Sequence, residues 1–250
     1  MQRSVSFLGH VVSEASLSMQ NEKIEAIRDW PVCRSLIKLR AFMGTCGDHR
    51  RFVKDFSSIA APLFGLTKKG VSFVWTSEYQ KAFDELKTKL TSGPILALPK
   101  DGSLYILDTD ASDSGLGTVL SQVQDGTERA IAYSSRTMNR SEVKYENTRK
   151  ELLAVVNDLK QFRQYLLGRH FVVRTDHAAF SWLRRTPEPM LQLARWLTLI
   201  EQYDYEVTHR DRRKHGNAEG LSRRPATSEA QSEVNSSYDE AKEDNEGHRR

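Results

Sequence analysis

The stretch from Leu104 to Val123, LYILDTDASDSGLGTVLSQV, constrains the fold of this 250-residue chain more than any other. Apolar and aromatic side chains alternate with others along its first half, which is the period-two pattern of a strand. Residues 112 to 115 are small or tolerant of turn conformations and can reverse the chain, and Gly117 keeps the second strand narrow. The stretch therefore predicts an antiparallel strand pair in which Asp110 lies near the end of a buried strand.

Polar side chains at four later positions fall at the ends of separate predicted elements. Glu151 lies near the start of a long helix, Asp176 and His209 each end a strand, and Glu219 opens a short helix. Carboxylates that converge from separate elements repel one another unless cations occupy the site. If Asp110 joins these acids, the arrangement favours magnesium. For Glu151 alone, stabilisation of an acid by the helix dipole is an alternative explanation.

Four motifs resemble the ribonuclease H domain of gypsy-type long-terminal-repeat retrotransposons. They are LDTDASDSGLGTVLSQ, IAYSSRTMNRSEVKYENTRKELLAVV, FVVRTDHAAFSWL and HGNAEGLSRRP, within about residues 101 to 225. Upstream, SFLGHVVS, IEAIRDWP and RRFVKDFSSIAAPLFGLTKKGVSFVWTSEYQKAFDELK resemble the thumb and connection of the same reverse transcriptases. The resemblance implies a fragment of a retrotransposon Pol polyprotein.

This resemblance implies an α/β fold with a ribonuclease H-like mixed five-stranded sheet and flanking helices, preceded by a mainly helical thumb and connection region. We expect the thumb and connection at residues 1–99 and the ribonuclease H-like domain at 100–225. Residues 226–250 contain almost no large apolar side chain and cannot offset the entropy of ordering, so we expect a disordered acidic tail.

The function implied by the resemblance is hydrolysis of the RNA strand of an RNA/DNA hybrid with two Mg²⁺ or Mn²⁺ ions. Asp110, Glu151 and Asp176 match the family's three core ligand positions. Glu219 stands where the family usually has Asp, and its extra methylene moves the carboxylate outward, which puts full activity in question. His209 matches a position where retroviral relatives keep a histidine that assists the reaction, although an exposed strand-end histidine is the alternative.

Charge is unevenly distributed along the chain. The formal net charge is +4, but the tail from Ala226 has seven acidic and three basic residues, which leaves +8 on residues 1–225. A basic body favours a polyanionic partner, although solvated basic faces have the same composition. The candidates for contacts with nucleic-acid phosphates are Arg50, Arg51, Lys54, Arg184, Arg185, Arg210, Arg212, Arg213 and Lys214.

Composition disfavours several other classes of protein. No run reaches the roughly 20 apolar residues of a membrane helix, and no leader resembles a signal peptide. Cys33 and Cys46 are too few for a disulfide framework and lack the spacing of a zinc site. We therefore expect reduced thiols, no membrane partner and an intracellular location, in a cytoplasmic particle or the nucleus.

Several local patterns give further expectations. Glycines at 44 and 47 are expected to interrupt the helix that begins after Ser35, residues 71 to 75 to form a short strand, and residues 147 to 167 to form one long helix. The apolar run from Val5 to Val12 has nothing before it to pair with, so we expect the natural fold to begin upstream of Met1.

Two functions remain open at this point. One is a catalytic ribonuclease H, and the other is a non-catalytic nucleic-acid-binding remnant of a Pol protein. No Tyr-x-Asp-Asp motif of a polymerase palm occurs in the sequence, so DNA synthesis is not expected from this chain alone. In a larger polyprotein, upstream palm and fingers domains would be its partners.

Overall fold

A computed structural model describes residues 4–175 and 191–209. In chain order, the first part contains β1 (Ser4–Phe7), β2 (His10–Ser13), β3 (Ser16–Met19), α1 (Asn21–Arg28), α2 (Leu36–Asp48), a 3₁₀ turn (Arg50–Phe52), α3 (Phe56–Leu66), α4 (Ser77–Thr91) and β4 (Leu96–Ala97). The second part contains β5 (Tyr105–Ala111), β6 (Gly115–Gln124), β7 (Thr127–Thr137), a 3₁₀ turn (Glu142–Lys144), α5 (Asn147–Gln161), α6 (Arg163–Leu166), β8 (His170–Thr175), α7 (Leu191–Ile200) and β9 (Asp204–His209).

The predicted ribonuclease H-like sheet is confirmed. Its strand order is β7-β6-β5-β8-β9, and it is mixed: β5, β6 and β7 pair antiparallel, while β5, β8 and β9 run parallel. The tight turn between β6 and β7 uses Asp125 and Gly126, both at positive φ (50° and 76°). This is the backbone of a two-residue hairpin turn and matches the right-handed twist of the strands.

Helix α5 forms because its apolar side chains recur every three or four residues. That stripe packs on one face of the sheet, against Tyr105, Leu107 and Phe171 among others, and forms the first of two hydrophobic cores. The expected single helix from 147 to 167 is wrong in one respect, since it breaks at Phe162. The φ of −105° and ψ of 18° at Phe162 end α5, and its buried ring remains in the core while the chain turns into α6.

The upstream region is mainly helical, as predicted, but it also contains a four-stranded antiparallel sheet in the order β1-β2-β3-β4. Glycines at 44 and 47 do not interrupt α2, which was expected to end there. Packing of Leu39, Phe42 and Met43 into a second core stabilises the helix despite its glycines. Ser35 caps its start by accepting from the Lys38 amide at 3.4 Å.

The strand expected at residues 71 to 75 is also wrong, because this segment contains no strand. Its aromatic side chains pack on α4 instead of pairing in a sheet. Trp75 lies with its ring centroid 5.8 Å from that of Phe83, and its indole Nε1 donates to Gln80 Oε1 at 2.8 Å. Side-chain packing therefore decides the conformation of a segment whose strand propensity is high.

The second core covers the opposite face of the five-stranded sheet. Ala130 belongs to this core, and Val119 and Tyr133 pack against it, so β6 and β7 lie between the two cores. The described residues through His209 lie in one compact unit. The boundary predicted between 99 and 100 stays a prediction, and the predicted tail lies outside the described residues. Among those described, no helix combines the length and apolar character needed to cross a membrane.

Candidate active site

The candidate site lies where three parallel strands end. β5 pairs with β8 from Tyr105 opposite Phe171 to Asp108 opposite Arg174, and β8 pairs with β9 up to Thr175 opposite His209. Because the strands are parallel, their carboxyl ends share one edge of the sheet. Such edges are where open α/β sheets usually place their binding residues.

Asp110 occupies this edge as the penultimate residue of β5. It lies opposite Gly117 of β6 and is exposed. Its neighbour Thr109 is buried, and strand alternation directs the side chains of Thr109 and Asp110 to opposite faces of the sheet. The sequence prediction that Asp110 lies near the end of a buried strand is confirmed.

Glu151 reaches the same edge from α5. It is half-buried, and its Oε2 lies 3.5 Å from Oγ1 of Thr175, the fully buried last residue of β8. The preceding Lys150 is also buried and directs its Nζ to the carbonyl oxygen of Asp113, at 3.5 Å. The start of α5 therefore contacts both the end of β8 and the turn that follows Asp110.

Asp176 follows Thr175 directly in the sequence, but Asp176 and Glu219 lie outside the described residues. His209 is described as the last residue of β9, with its backbone opposite Thr175. Within the described ranges, no group of three or more His, Cys, Asp or Glu is arranged to hold a metal ion. The predicted four-carboxylate site and the role of His209 stay predictions.

The donors that are described do fit a hard divalent cation. Asp110 and Glu151 offer carboxylate oxygens, which Mg²⁺ and Mn²⁺ prefer over nitrogen or sulfur. The hydroxyl of Thr175 supports one of these carboxylates from behind, which is the kind of outer contact that orients a ligand.

Of the predicted nucleic-acid contacts, only the three upstream residues lie in the described part of the chain. The Arg50 guanidinium donates to the carbonyl oxygen of Ser135 on β7 and lies 5.5 Å from the centroid of the Phe56 ring. Arg51 is half-buried and Lys54 is exposed. The remaining six candidates, Arg184, Arg185, Arg210, Arg212, Arg213 and Lys214, lie outside the described residues, and all nine contacts stay predictions.

Sequence reasoning missed four polar residues around the site: Asp55, Lys150, Asp158 and Thr175. The carboxyl of Asp158 is completely buried on α5, and burial raises its pKa to about 7. The sequence did mark Asp158 as unusual, because an acid three residues after Val155 interrupts the apolar stripe of the helix. The others carried no such signal, since their roles depend on contacts between distant segments.

Comparison with known proteins agrees with this geometry. Residues 75–173 match the family described as an RNase H-like domain found in reverse transcriptase. The chain is 35% identical over 224 residues to a retrovirus-related Pol polyprotein from transposon 297 of Drosophila melanogaster, which covers 89% of this chain and 21% of the relative. The chain is therefore similar to a fragment of the Pol polyproteins of retrotransposons. The resemblance predicted from the motifs is thereby confirmed.

Other Pol relatives also match most of this chain over a small part of their own length. The Tf2-3 transposon polyprotein of Schizosaccharomyces pombe is 31% identical over 227 residues, covering 89% of this chain and 17% of the relative. The chain thus spans about a fifth of the length of these polyproteins.

Solved structures share the fold. A foamy viral protease-reverse transcriptase in complex with double-stranded DNA superposes with a TM-score of 0.73 at 23% identity, covering 85% of this chain and 46% of that one. The corresponding structure in complex with an RNA/DNA hybrid gives a TM-score of 0.72 at 23% identity, covering 90% and 31%. At this identity the likeness establishes the ribonuclease H-like fold class with its upstream region.

Proposed function

We propose that this chain is a metal-dependent ribonuclease H, an endonuclease that cuts the RNA strand of RNA/DNA hybrids as part of a retrotransposon reverse transcriptase. The observation that carries the proposal is the placement of Asp110 and Glu151, from β5 and α5, at the carboxyl edge of the same parallel strands. The family match supports it. The foamy viral relative bound to an RNA/DNA hybrid indicates the kind of substrate.

Four carboxylates would hold two Mg²⁺ or Mn²⁺ ions: Asp110, Glu151, Asp176 and Glu219. Two such ions supply an activated water and stabilise the leaving oxygen of a phosphodiester. The extra methylene of Glu219 changes the reach of one carboxylate. Because such sites require placement within about 0.5 Å, we expect activity to depend on the side-chain length at position 219.

The chain's own residues would orient these acids and move protons. Thr175 restrains Glu151 through the 3.5 Å contact between their side-chain oxygens, and Lys150 ties the same helix turn to the turn after Asp110. His209, at the end of β9, would exchange a proton with the leaving group, which suits an imidazole near neutral pH.

Substrate would be recognised by its shape and by the 2′-hydroxyl groups of the RNA strand. The nine basic candidates would contact phosphates, which position the duplex without reading its sequence. For Arg50, this role would come in addition to its contact with Ser135. In a complete polyprotein, palm and fingers domains would complete the reverse transcriptase.

The test is cleavage of an end-labelled RNA/DNA hybrid by the purified chain with magnesium, manganese or a chelator. We expect metal-dependent cutting of the RNA strand only. Asp110→Asn should abolish cutting while hybrid binding persists, because the amide keeps the shape but removes the charge that holds the cation. The matched control is Asp125→Asn, which removes the same charge from the exposed β6–β7 turn and should cut normally.

The two outcomes that oppose the proposal differ from each other. Undiminished cleavage by Asp110→Asn would show that the site is assigned to the wrong residues. Hybrid binding by the unmodified chain without cleavage at any metal concentration would favour the non-catalytic function. Glu219→Asp would then show whether shortening that side chain restores cutting.

A further inference from the structure

Asp158 is a completely buried carboxyl group on α5 that the proposed chemistry does not use. Its exposed fraction is 0%, and it faces β6. The Thr118 hydroxyl donates to its Oδ2, and the side-chain amide of Asn157 donates to its Oδ1 at 3.1 Å. A buried carboxyl with these contacts joins the helix to the central sheet by hydrogen bonds inside an otherwise apolar core.

No cation neutralises this carboxyl directly among the described residues. The charge of Arg136 on β7 acts on this carboxyl without a direct contact. The Arg136 guanidinium donates from Nε to Asn157 Oδ1 at 2.8 Å and from its two terminal nitrogens to Glu142 at 2.7 and 3.0 Å. Burial raises the pKa of Asp158 to about 7, opposed by the hydrogen bonds from Thr118 and Asn157 and by the charge of Arg136. Below neutral pH, Asp158 is therefore largely a neutral carboxylic acid.

The position of Asp158 relates it to Glu151. The two residues are seven apart on α5 and so lie on the same side of the helix, two turns from each other. Glu151 meets Thr175 on β8, whereas Asp158 meets Thr118 on β6. Strand β5, which carries Asp110, lies between β6 and β8.

The contacts of Arg136 add the turn that precedes α5 to this set of hydrogen bonds. By joining Asn157 to Glu142, Arg136 links the C-terminal half of α5 to the 3₁₀ turn that leads into it. One polar network thus joins the C-terminal half of α5 to β6, to β7 and to the 3₁₀ turn before the helix. It is made of Thr118, Asp158, Asn157, Arg136 and Glu142.

We propose that Asp158 is a positioning residue for Glu151: completely buried and bonded to Thr118, it fixes α5 on the sheet and holds Glu151 at the carboxyl edge of β5 and β8. The part that concerns Glu151 rests on the proposed nuclease function. The protonation state of Asp158 can be tested separately, because it affects only the stability of the fold.

The protonation of Asp158 has a defined effect on stability. The group titrates near 3.8 in the unfolded chain and near 7 in the folded one, so the folded state binds more protons between these values. Stability from this group is complete below about pH 4 and is lost as the pH rises toward 7. Asp158→Asn, which keeps the shape and cannot ionise, should remove this loss.

The first experiment measures melting temperatures of the full chain and of Asp158→Asn at pH 5 and pH 8, in chelator. We expect the variant to gain stability relative to the unmodified chain on going from pH 5 to pH 8. An identical pH dependence in both proteins would overturn the neutral-acid assignment. This result does not depend on whether the chain is a nuclease.

The second experiment measures Mg²⁺ affinity by calorimetry and the Mg²⁺ dependence of hybrid cleavage for Asp158→Ala and Thr118→Val. Loss of an outer contact typically weakens metal binding by about tenfold or more, so we expect both variants to need about tenfold more Mg²⁺ while the KM for hybrid stays unchanged. Thr118→Val keeps the side-chain volume and serves if Asp158→Ala does not fold.

The matched control is Leu159→Ala, which removes a side chain with 1% exposure from the adjacent position of α5. It should lower the melting temperature but leave the Mg²⁺ requirement unchanged. Equal Mg²⁺ affinity in the unmodified chain, Asp158→Ala and Thr118→Val, or an equal loss in Leu159→Ala, would overturn the positioning role. A chain that binds Mg²⁺ with the expected variant effects but cuts nothing would contradict only the proposed function.

Discussion

At the residue scale, Gly117 of β6 lies beside the side chain of Asp55, next to the candidate site. A Cβ atom on Gly117 would lie 2.6 Å from Asp55 Oδ1, which is closer than real contacts allow. Asp55 itself adopts the left-handed φ of 57° just before α3. Since Gly117 pairs with Asp110, the absence of a side chain at 117 lets the upstream region reach the strand next to the site.

Gly117→Ala should therefore destabilise the chain, by about 1 kcal/mol, because Asp55 must rotate away from the new methyl group. In an Asp55→Gly background the same change should be neutral or stabilising, since a strand glycine is normally less stable than alanine by about 0.5–1 kcal/mol. Chemical denaturation of the four proteins in this cycle measures the coupling. An equal cost in both backgrounds would show that Asp55 does not cause it.

Sequence patterns predicted where candidate residues lie on their elements only where these residues also followed a regular period. Asp110 was placed correctly because the strand before it alternates, and Glu151 because the stripe of α5 fixes the helix register. Thr175 and Asp55 could not be predicted in this way. Their roles arise from contacts with Glu151 and Gly117, which are 24 and 62 positions away in the chain.

At the element scale, the elements of the five-stranded sheet and the start of α5 were predicted, whereas the upstream strands β3 and β4 were not. Helix α5 and strands β5 to β7 bury continuous apolar faces, so pattern and packing agree. The strands β3 and β4 have four and two residues. They pair Leu17 with Leu96, so most of the upstream sequence lies between the two strands. Such pairing depends on how the intervening helices pack, so it cannot be predicted from the local sequence of either strand.

A pair of histidines holds the β1–β2 hairpin against the end of α2. The ring centroids of His10 and His49 are 5.3 Å apart, and His49 is 4% exposed. Burial lowers the pKa of both imidazoles. Arg51 adds to this effect for His10, while His10 and Lys23 add to it for His49 and Asp48 opposes it. The contact between the hairpin and α2 therefore favours the neutral form of both imidazoles.

This arrangement predicts a loss of stability in acid. The unfolded chain takes up protons on these histidines near pH 6.5, before the folded chain does, so stability falls as the pH drops from 6.5 through the lower folded values. His49→Phe keeps a buried ring without a proton to gain. Its unfolding free energy should fall less than that of the unmodified chain between pH 7 and pH 5, as measured by urea titration at each pH.

Because protonation of Asp158 acts in the opposite direction over this range, only the difference between the two proteins is informative. The same pH-dependent change in both would show that the His10 and His49 pair is not coupled to folding. Hydrogen exchange of the β1 and β2 amides locates the effect, since we expect those amides to lose protection first in acid.

At the scale of the whole molecule, the two hydrophobic cores share a sheet. The first lies between α5 and one face, and the second packs on the other face through Ala130, Val119 and Tyr133. Ser57 and Ser135 strengthen this junction with a buried hydrogen bond of 3.0 Å between their hydroxyl groups. Separate folding of the two regions would expose one face of β6 and β7, so we expect them to unfold together.

Phe42→Ala tests this coupling from the far side of the second core. Phe42 is completely buried, with its ring centroid 4.5 Å from that of Phe83, so its truncation should cost about 3–5 kcal/mol. For a chain of this size the expected fall in melting temperature is roughly 10 °C. If the cores are coupled, calorimetry shows a single transition shifted as a whole, and amides of β5 and α5 lose protection to the same extent as those of α2.

The control uses the same helix. Ile37 lies on α2 with 79% of its surface exposed, so Ile37→Ala should leave the transition unchanged. If Phe42→Ala instead split the transition, with α5 and the five-stranded sheet melting at the original temperature, the two cores would be independent. Asp110 and Glu151 would then keep their positions without the upstream helices, and the contact between Asp55 and Gly117 would be dispensable for the site.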